Sequence, residues 1–194
     1  MGNRELILAA ALRLFNEQGT SGISTNHIAA AAGISPGNLY YHFRNKEAVI
    51  RAIGEALFAR TDQLYRLNNN AAPTIADLHV LVRATLQISW EYRFLYRELI
   101  ALLRRDDELR VRWQAIRQRG FSGFHELFAQ FVAAGVLRDP GDPAVITTLA
   151  DLCWLISEFW LASVEVSGAT VDSGQIERGI ALLQHILDPY VIHT

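Results

Sequence analysis

Apolar residues recur every three or four positions along most of this chain, the period of helices with one buried face, and no stretch shows the alternation of a half-buried strand. Glu5 to Gln18 carries Leu8, Ala11, Leu12 and Phe15 at helical spacing, and Gly19 ends it. Ser24 to Lys46 predicts two short helices joined by a tight turn. Lys46 to about Leu67 follows, with Val49, Ile50, Ile53, Leu57 and Leu64 on one side. At about 1.5 Å per residue that helix is about 30 Å long. Asn68 to Pro73 reads as a loop, and Thr74 with Asp77 as a capping box for a helix bearing Leu78, Leu81, Val82, Thr85 and Ser89 and ending near Tyr92. A short helix covers Phe94 to Arg104. A long one runs from Asp107 to about Ala134 with the stripe Leu109, Trp113, Ile116, Gly120, Phe124, Leu127 and Phe131. Gly120 and Gly123 sit inside it, where a glycine signals either close helix packing or a kink beside a cavity. The turn Asp139 to Pro143 precedes Val145 to Val166, which is apolar almost all round and therefore predicted to be buried on several sides. After a loop at Ser167 to Ser173, the last helix, about Gly174 to Leu187, aligns Ile176, Ile180, Leu183 and Leu187, and Pro189 stops it. The pattern is all-α, about nine helices.

The segment STNHIAAAAGISPGNLYYHFRNK, Ser24 to Lys46, carries the most specific local chemistry. Ser24 is a good N-cap, its hydroxyl able to accept from an orphan backbone N–H. Ala29 to Ala32 are small helix formers that let another helix cross closely. Gly33 stands at the C′ position, where a left-handed backbone is needed, and Ile34 can tuck beneath the turn. Ser35 caps the next helix, Pro36 occupies its first position, and Asn45 caps the one after that. Cap, helix, glycine, cap-proline, helix is the signature of a helix-turn-helix, whose second helix enters the major groove of DNA. Leu39 and Phe43, four apart, point inward and leave Gly37, Asn38, Tyr41 and His42 outward or sideways. Asparagine can pair bidentately with adenine. Pro36 and Gly37 add no bulk at an end that suits a phosphate. Lys46 falls in a first helical turn, where a cation opposes the dipole, a hint that it serves a phosphate.

The run GISPGNLYYHFRNKEAVI resembles the helix-turn-helix of the tetracycline-repressor (TetR) family of bacterial transcription regulators, and residues 4 to 53 match that family's N-terminal domain. The L-Y-x-H-F-x-x-K run from Leu39 to Lys46 is its most specific part. The resemblance implies an all-α fold, with a helix-turn-helix domain at 1–46 and a helical ligand-binding and dimerisation domain at 47–194. It implies that Thr25 and Asn26 touch the phosphate backbone, that Ser35, Gly37 and Asn38 lie near bases, and that Tyr40, Tyr41, His42 and Lys46 contact phosphates or base edges.

Composition adjusts this picture in three places. The 194 residues carry a net charge of −2 and a pI of about 6.3, which argues against a protein that coats nucleic acid generally. Even the first fifty residues are only slightly basic, so a modest salt dependence and reliance on dimerisation are expected. One cysteine, Cys153 in an apolar run, allows no disulfide within a chain and suits a reducing cytoplasm. Arg4 and Glu5 interrupt any signal peptide, and Asp151 and Glu158 make a membrane span at 145–166 costly. That helix and the last one carry excess apolar surface, which predicts a homodimer through an intermolecular four-helix bundle.

No enzyme constellation is legible. There is no nucleophile elbow, P-loop or dinucleotide fingerprint, and His125-Glu126 lacks a second His at 129. No cofactor or metal site is expected. The second domain is rich in aromatics, which usually form core but also line small-molecule pockets. Trp90, Phe94, Trp113, Phe124, His125, Phe128, Trp154 and Glu158 are the candidate ligand residues, with Glu98 as a further polar candidate, in a pocket between the helices at 46–67, 75–92, 107–134 and 145–166. The function this predicts is a cytoplasmic repressor released from a pseudo-palindromic DNA operator by a small apolar or aromatic effector. The alternatives are a ligand-independent activator or architectural factor with the same head, and a helical enzyme or carrier whose helix-turn-helix no longer reads DNA.

Overall fold

The computed structural model describes residues 2–65 and 72–192. Among them are ten α-helices, α1 (Asn3–Gln18), α2 (Thr25–Ala31), α3 (Pro36–His42), α4 (Lys46–Leu64), α5 (Ile75–Glu91), α6 (Arg93–Arg97), α7 (Leu99–Arg105), α8 (Asp107–Ala133), α9 (Pro143–Val166) and α10 (Ser173–Leu187), then a 3₁₀ turn at Asp188–Tyr190. The predicted end of the fourth helix at Leu67 and most of the loop after it lie outside the described residues. The chain forms two compact units, Met1–Ala59 with Tyr92–Arg112, and Arg60–Glu91 with Trp113–Thr194. They do not coincide with a cut at residues 46 and 47, because α6, α7 and the start of α8 group with the helix-turn-helix.

In the first unit the core is built from Ile7, Ala11, Phe15, Ile28, Ala29, Leu39, Val49, Ile53 and Leu57, all essentially inaccessible. The α1 face is rotated from its predicted position: Ile7, Ala10, Ala11, Leu14 and Phe15 are buried, whereas Leu8 and Leu12 are only partly covered. Three helices, α2, α3 and α6, pack on α1. Phe94 of α6 meets Phe15 with ring centroids 5.1 Å apart, and its N–H donates to Asn16 Oδ1 at 3.1 Å. The single short helix expected over 94–104 is two helices, parted at Glu98.

In the second unit Leu78, Leu81, Leu86, Phe128, Phe131, Leu149, Leu161, Ile176, Ile180 and Leu183 form the core, where α10 packs against α5 and α9. The Trp160 indole N–H donates to the Gln175 carbonyl at 2.7 Å and ties α9 to the start of α10. The two α8 glycines have different settings. A Cβ on Gly120 would overlap the Trp154 ring, within 2.8 Å of Cζ2 and nearer still to Cη2, whereas one on Gly123 would meet nothing within 4 Å. Close packing thus accounts for Gly120. Within one chain α9 is less covered than its composition predicts: Leu152, Leu155 and Val166 are exposed. It is long and apolar enough to cross a membrane by composition, but its Glu158 is buried in protein contacts.

Candidate nucleic-acid interface

The turn between α2 and α3 forms as its residues dictate. Ser24 Oγ accepts from the His27 N–H at 3.3 Å, and the His27 ring accepts from the Ser24 N–H in return. Gly33 adopts φ +69°, its N–H donates to the Ala30 carbonyl and the Ile34 N–H to the Ala29 carbonyl, closing α2 in a Schellman motif. Ser35 Oγ accepts from the Asn38 N–H at 3.2 Å, with Pro36 next in line. Leu39 is wholly buried and Phe43 nearly so, so α3 is pinned by one face against α1 and α2.

The opposite face is open. Asn26, Ser35, Pro36, Gly37, Tyr40 and Tyr41 are exposed, Tyr41 to 85%. Thr25, Asn38, His42 and Lys46 are half-buried. A bare tyrosine on a helix pinned by its other side gains nothing from folding, and a hydroxyl-bearing ring is suited to a phosphate or a base edge. Tyr41 packs edge-on against His42, with centroids 5.1 Å apart. Tyr40 Oη lies 2.9 Å from Thr25 Oγ1, so α3 and the start of α2 present their hydroxyls together. Both flank a shallow groove of about 390 Å³ lined by Ser21 to Thr25, Tyr40 and Arg44 to Lys46.

Lys46 is engaged within the head. Its Nζ donates to the Thr20 carbonyl at 2.6 Å, while the Thr20 N–H donates to Glu98 Oε1 at 2.9 Å and its hydroxyl to Glu98 Oε2. The lysine therefore braces the loop before α2. Glu98, a polar candidate for the ligand pocket, is consumed in this brace.

The remaining ligand candidates fall into separate groups. Phe94 is core of the first unit. Phe124 and Phe128 stack at 6.3 Å in the second unit's core, and Trp90 packs against that core. The His125 ring lies 3.5 Å from the exposed Thr147 hydroxyl. Trp113, Trp154 and Glu158 do meet: both indole N–H groups donate to Glu158 Oε1, at 3.2 and 3.1 Å, and the Arg117 Nε–H donates to Oε2 at 3.2 Å. Desolvation pushes the thiol of Cys153, a partly buried residue packed against the second unit's core, up to about 12, which disfavours the reactive thiolate.

Residues 7–53 match the family profile described as bacterial regulatory proteins of the tetR family, and residues 59–193 match one described as bacterial transcriptional repressor. The chain belongs to the TetR family. A solved TetR-family regulator from Marinobacter aquaeolei VT8 is 31% identical over 99% of this chain and 92% of its own, with a TM-score of 0.88. The class D tetracycline repressor of Escherichia coli is 41% identical over 58 residues, 30% of this chain and 27% of that protein. The transcriptional regulator AcrR of Shigella flexneri is 46% identical over 52 residues, 27% of this chain and 24% of that protein. The matches thus span about a quarter of the length of these curated relatives.

As a TetR-family member the chain is a DNA-binding transcription regulator in a family of regulators rather than enzymes. Sequence reasoning missed two features of this regulator's head. Arg44 is exposed beside the groove and adds a second cation to Lys46. Arg4 lies over the Phe43 ring at 5.4 Å and holds α1 to the end of α3. Arg44 was visible as a charge beside the motif, but Arg4 is far from Phe43 in sequence and gave no local signal.

Proposed function

We propose that this TetR-family regulator is a homodimeric repressor that reads a pseudo-palindromic operator and is released from it by a small effector carrying aromatic or apolar groups. The observation that carries the DNA-reading part is the exposed face of α3, with Gly37, Tyr40 and Tyr41 outward and Leu39 and Phe43 locked inward. Asn38 reads a base, Tyr40, Tyr41 and His42 contact phosphates or base edges, and Thr25, Asn26, Arg44 and Lys46 hold phosphates. Ser35, Pro36 and Gly37 let the start of α3 approach closely.

Leu152 and Leu155 on α9 and Leu182 on α10, 41%, 58% and 40% exposed in the single chain, support dimerisation through these helices. Two heads held roughly 34–36 Å apart would then read successive major grooves. An effector bound among the second unit's aromatics would favour a conformation that spoils this spacing, to the extent of its differential affinity for the two states. The test is selection of genomic fragments on the purified protein at physiological salt, followed by footprinting. A symmetric protected site with two half-sites supports the reading, and protection without symmetry contradicts the dimeric reader. The sign of regulation follows from reporter output of a neighbouring gene with and without the regulator.

A further inference from the structure

We infer that Glu158 anchors a binding site for an aromatic organic cation of the amidine or guanidine class, and that Arg117 is the internal competitor for that site. This deepens the effector reading and rests on it.

Glu158 is only 6% exposed, and a carboxylate so placed stays charged only if its oxygens are matched by donors and its charge by a cation. Oε1 receives the two indole N–H groups of Trp113 and Trp154, which bring donors without charge. Among these partners the positive charge comes from Arg117, through one Nε–H contact of 3.2 Å to Oε2. The arginine's hold is slight. Its side chain is 43% exposed, and the paired fork that makes Arg–carboxylate contacts strong is absent, since Nε alone is engaged. Its guanidinium lies 5.1 Å from the Phe121 ring centroid, and Phe121 stacks on Trp154 at 4.9 Å and 23°. A planar cation thus sits against a carboxylate oxygen with an aromatic face beneath it, the two elements that recognise a flat delocalised cation.

The walls of this corner are built in. Trp113, Arg117, Gly120 and Phe121 share one face of α8 by their i, i+4, i+7, i+8 spacing, and Trp154 and Glu158 lie one turn apart on α9. The bare Cα of Gly120 lets the Trp154 ring seat against α8. Arg117 can withdraw into water, where its charge is well solvated, but Glu158 cannot follow. Whatever takes the vacated place has to bring a positive charge, and if it also brings an aromatic ring it gains the Phe121 face on which the guanidinium lies. A neutral aromatic would leave the buried carboxylate without a counter-charge.

The experiment uses three isosteric probes, 2-naphthamidine (cation), 2-naphthamide (neutral) and 2-naphthoate (anion), titrated calorimetrically into the full-length protein. Release of a selected operator fragment is read in parallel. The cation is expected to bind about tenfold or more tightly than the amide. Arg117→Ala, which removes the competitor, is expected to tighten the cation about tenfold, and Glu158→Gln to abolish the difference between amidine and amide. Equal affinity of the wild type for all three, binding of none, or weaker amidine binding by Arg117→Ala overturns the inference. The wild-type and Arg117→Ala arms decide it even if Glu158→Gln does not fold. Amidine binding with these dependences but without operator release leaves the cation site standing and refutes effector release. Operator release by the amide or naphthoate but not the amidine refutes the cation site and leaves effector release intact.

Discussion

Alanine substituted at Gly120 and at Gly123 should move stability in opposite directions. Both glycines lie inside α8, where replacing glycine by alanine recovers about 1 kcal/mol of helix propensity. At Gly123 nothing lies within 4 Å of the added carbon, so the gain is realised in full. At Gly120 the carbon would overlap the Trp154 ring. That ring cannot easily turn aside, because its N–H is bound to Glu158 and its face is stacked on Phe121. Overpacking costs about 1–3 kcal/mol, and a ring held at two points belongs at the upper end. Subtracting the propensity gain leaves a net loss of about 1–2 kcal/mol. For a chain of this size that is a fall in Tm of roughly 2–8 °C for Gly120→Ala, against a rise of roughly 2–4 °C for Gly123→Ala. The assay is thermal unfolding by circular dichroism at fixed protein concentration, since self-association also raises apparent stability. Trp fluorescence of the native state should shift for Gly120→Ala alone. Equal shifts of the same sign in the two variants would refute the packing argument.

Asn38→Ala should weaken operator binding by about 1–3 kcal/mol while leaving binding to random DNA unchanged, and an equal loss on both would remove Asn38 from base reading. Tyr41→Ala should lower operator affinity in a gel-shift titration with no change in Tm, because the ring is 85% exposed; a drop in Tm would mean the ring serves the fold. Lys46→Met should both destabilise the head, through loss of the Thr20 bond, and flatten the salt dependence of DNA binding by about one unit. An unchanged slope would confine Lys46 to its structural bond. Cys153 should resist alkylation in the native protein at pH 8, and a rate like that of a free thiol would contradict its burial. Its raised pKa also sets a pH window. The contribution is fully present below the unfolded value near 9.0 and is lost as pH climbs towards about 12, because only the unfolded thiol ionises in between.

The head was legible because its structure is written in adjacent residues. Ser24, Gly33, Ser35, Pro36 and Asn45 act within four positions of themselves, and each caps or turns the chain as its chemistry requires. The α1 face differs from its sequence reading because α2, α3 and α6 all pack on α1, the last some eighty residues away, and no local period reports them. Glu98 read as a pocket group for the same reason: its partner is Thr20, 78 positions earlier. Gly120 and Gly123 look alike in sequence, and only the place of Trp154 separates them. Among the ligand candidates, Glu158 was recognisable as a charge inside an apolar helix, whereas the donors that satisfy it come largely from α8.

The most direct test of the central claim, that the exposed face of α3 reads DNA sequence, is the affinity ratio between the selected operator and a scrambled duplex of the same composition, measured at physiological salt. A ratio of about 10³ or more is expected, falling by at least tenfold when Asn38 and Tyr41 are both replaced by alanine. A ratio near one, or a large ratio that survives the double substitution, would contradict the claim.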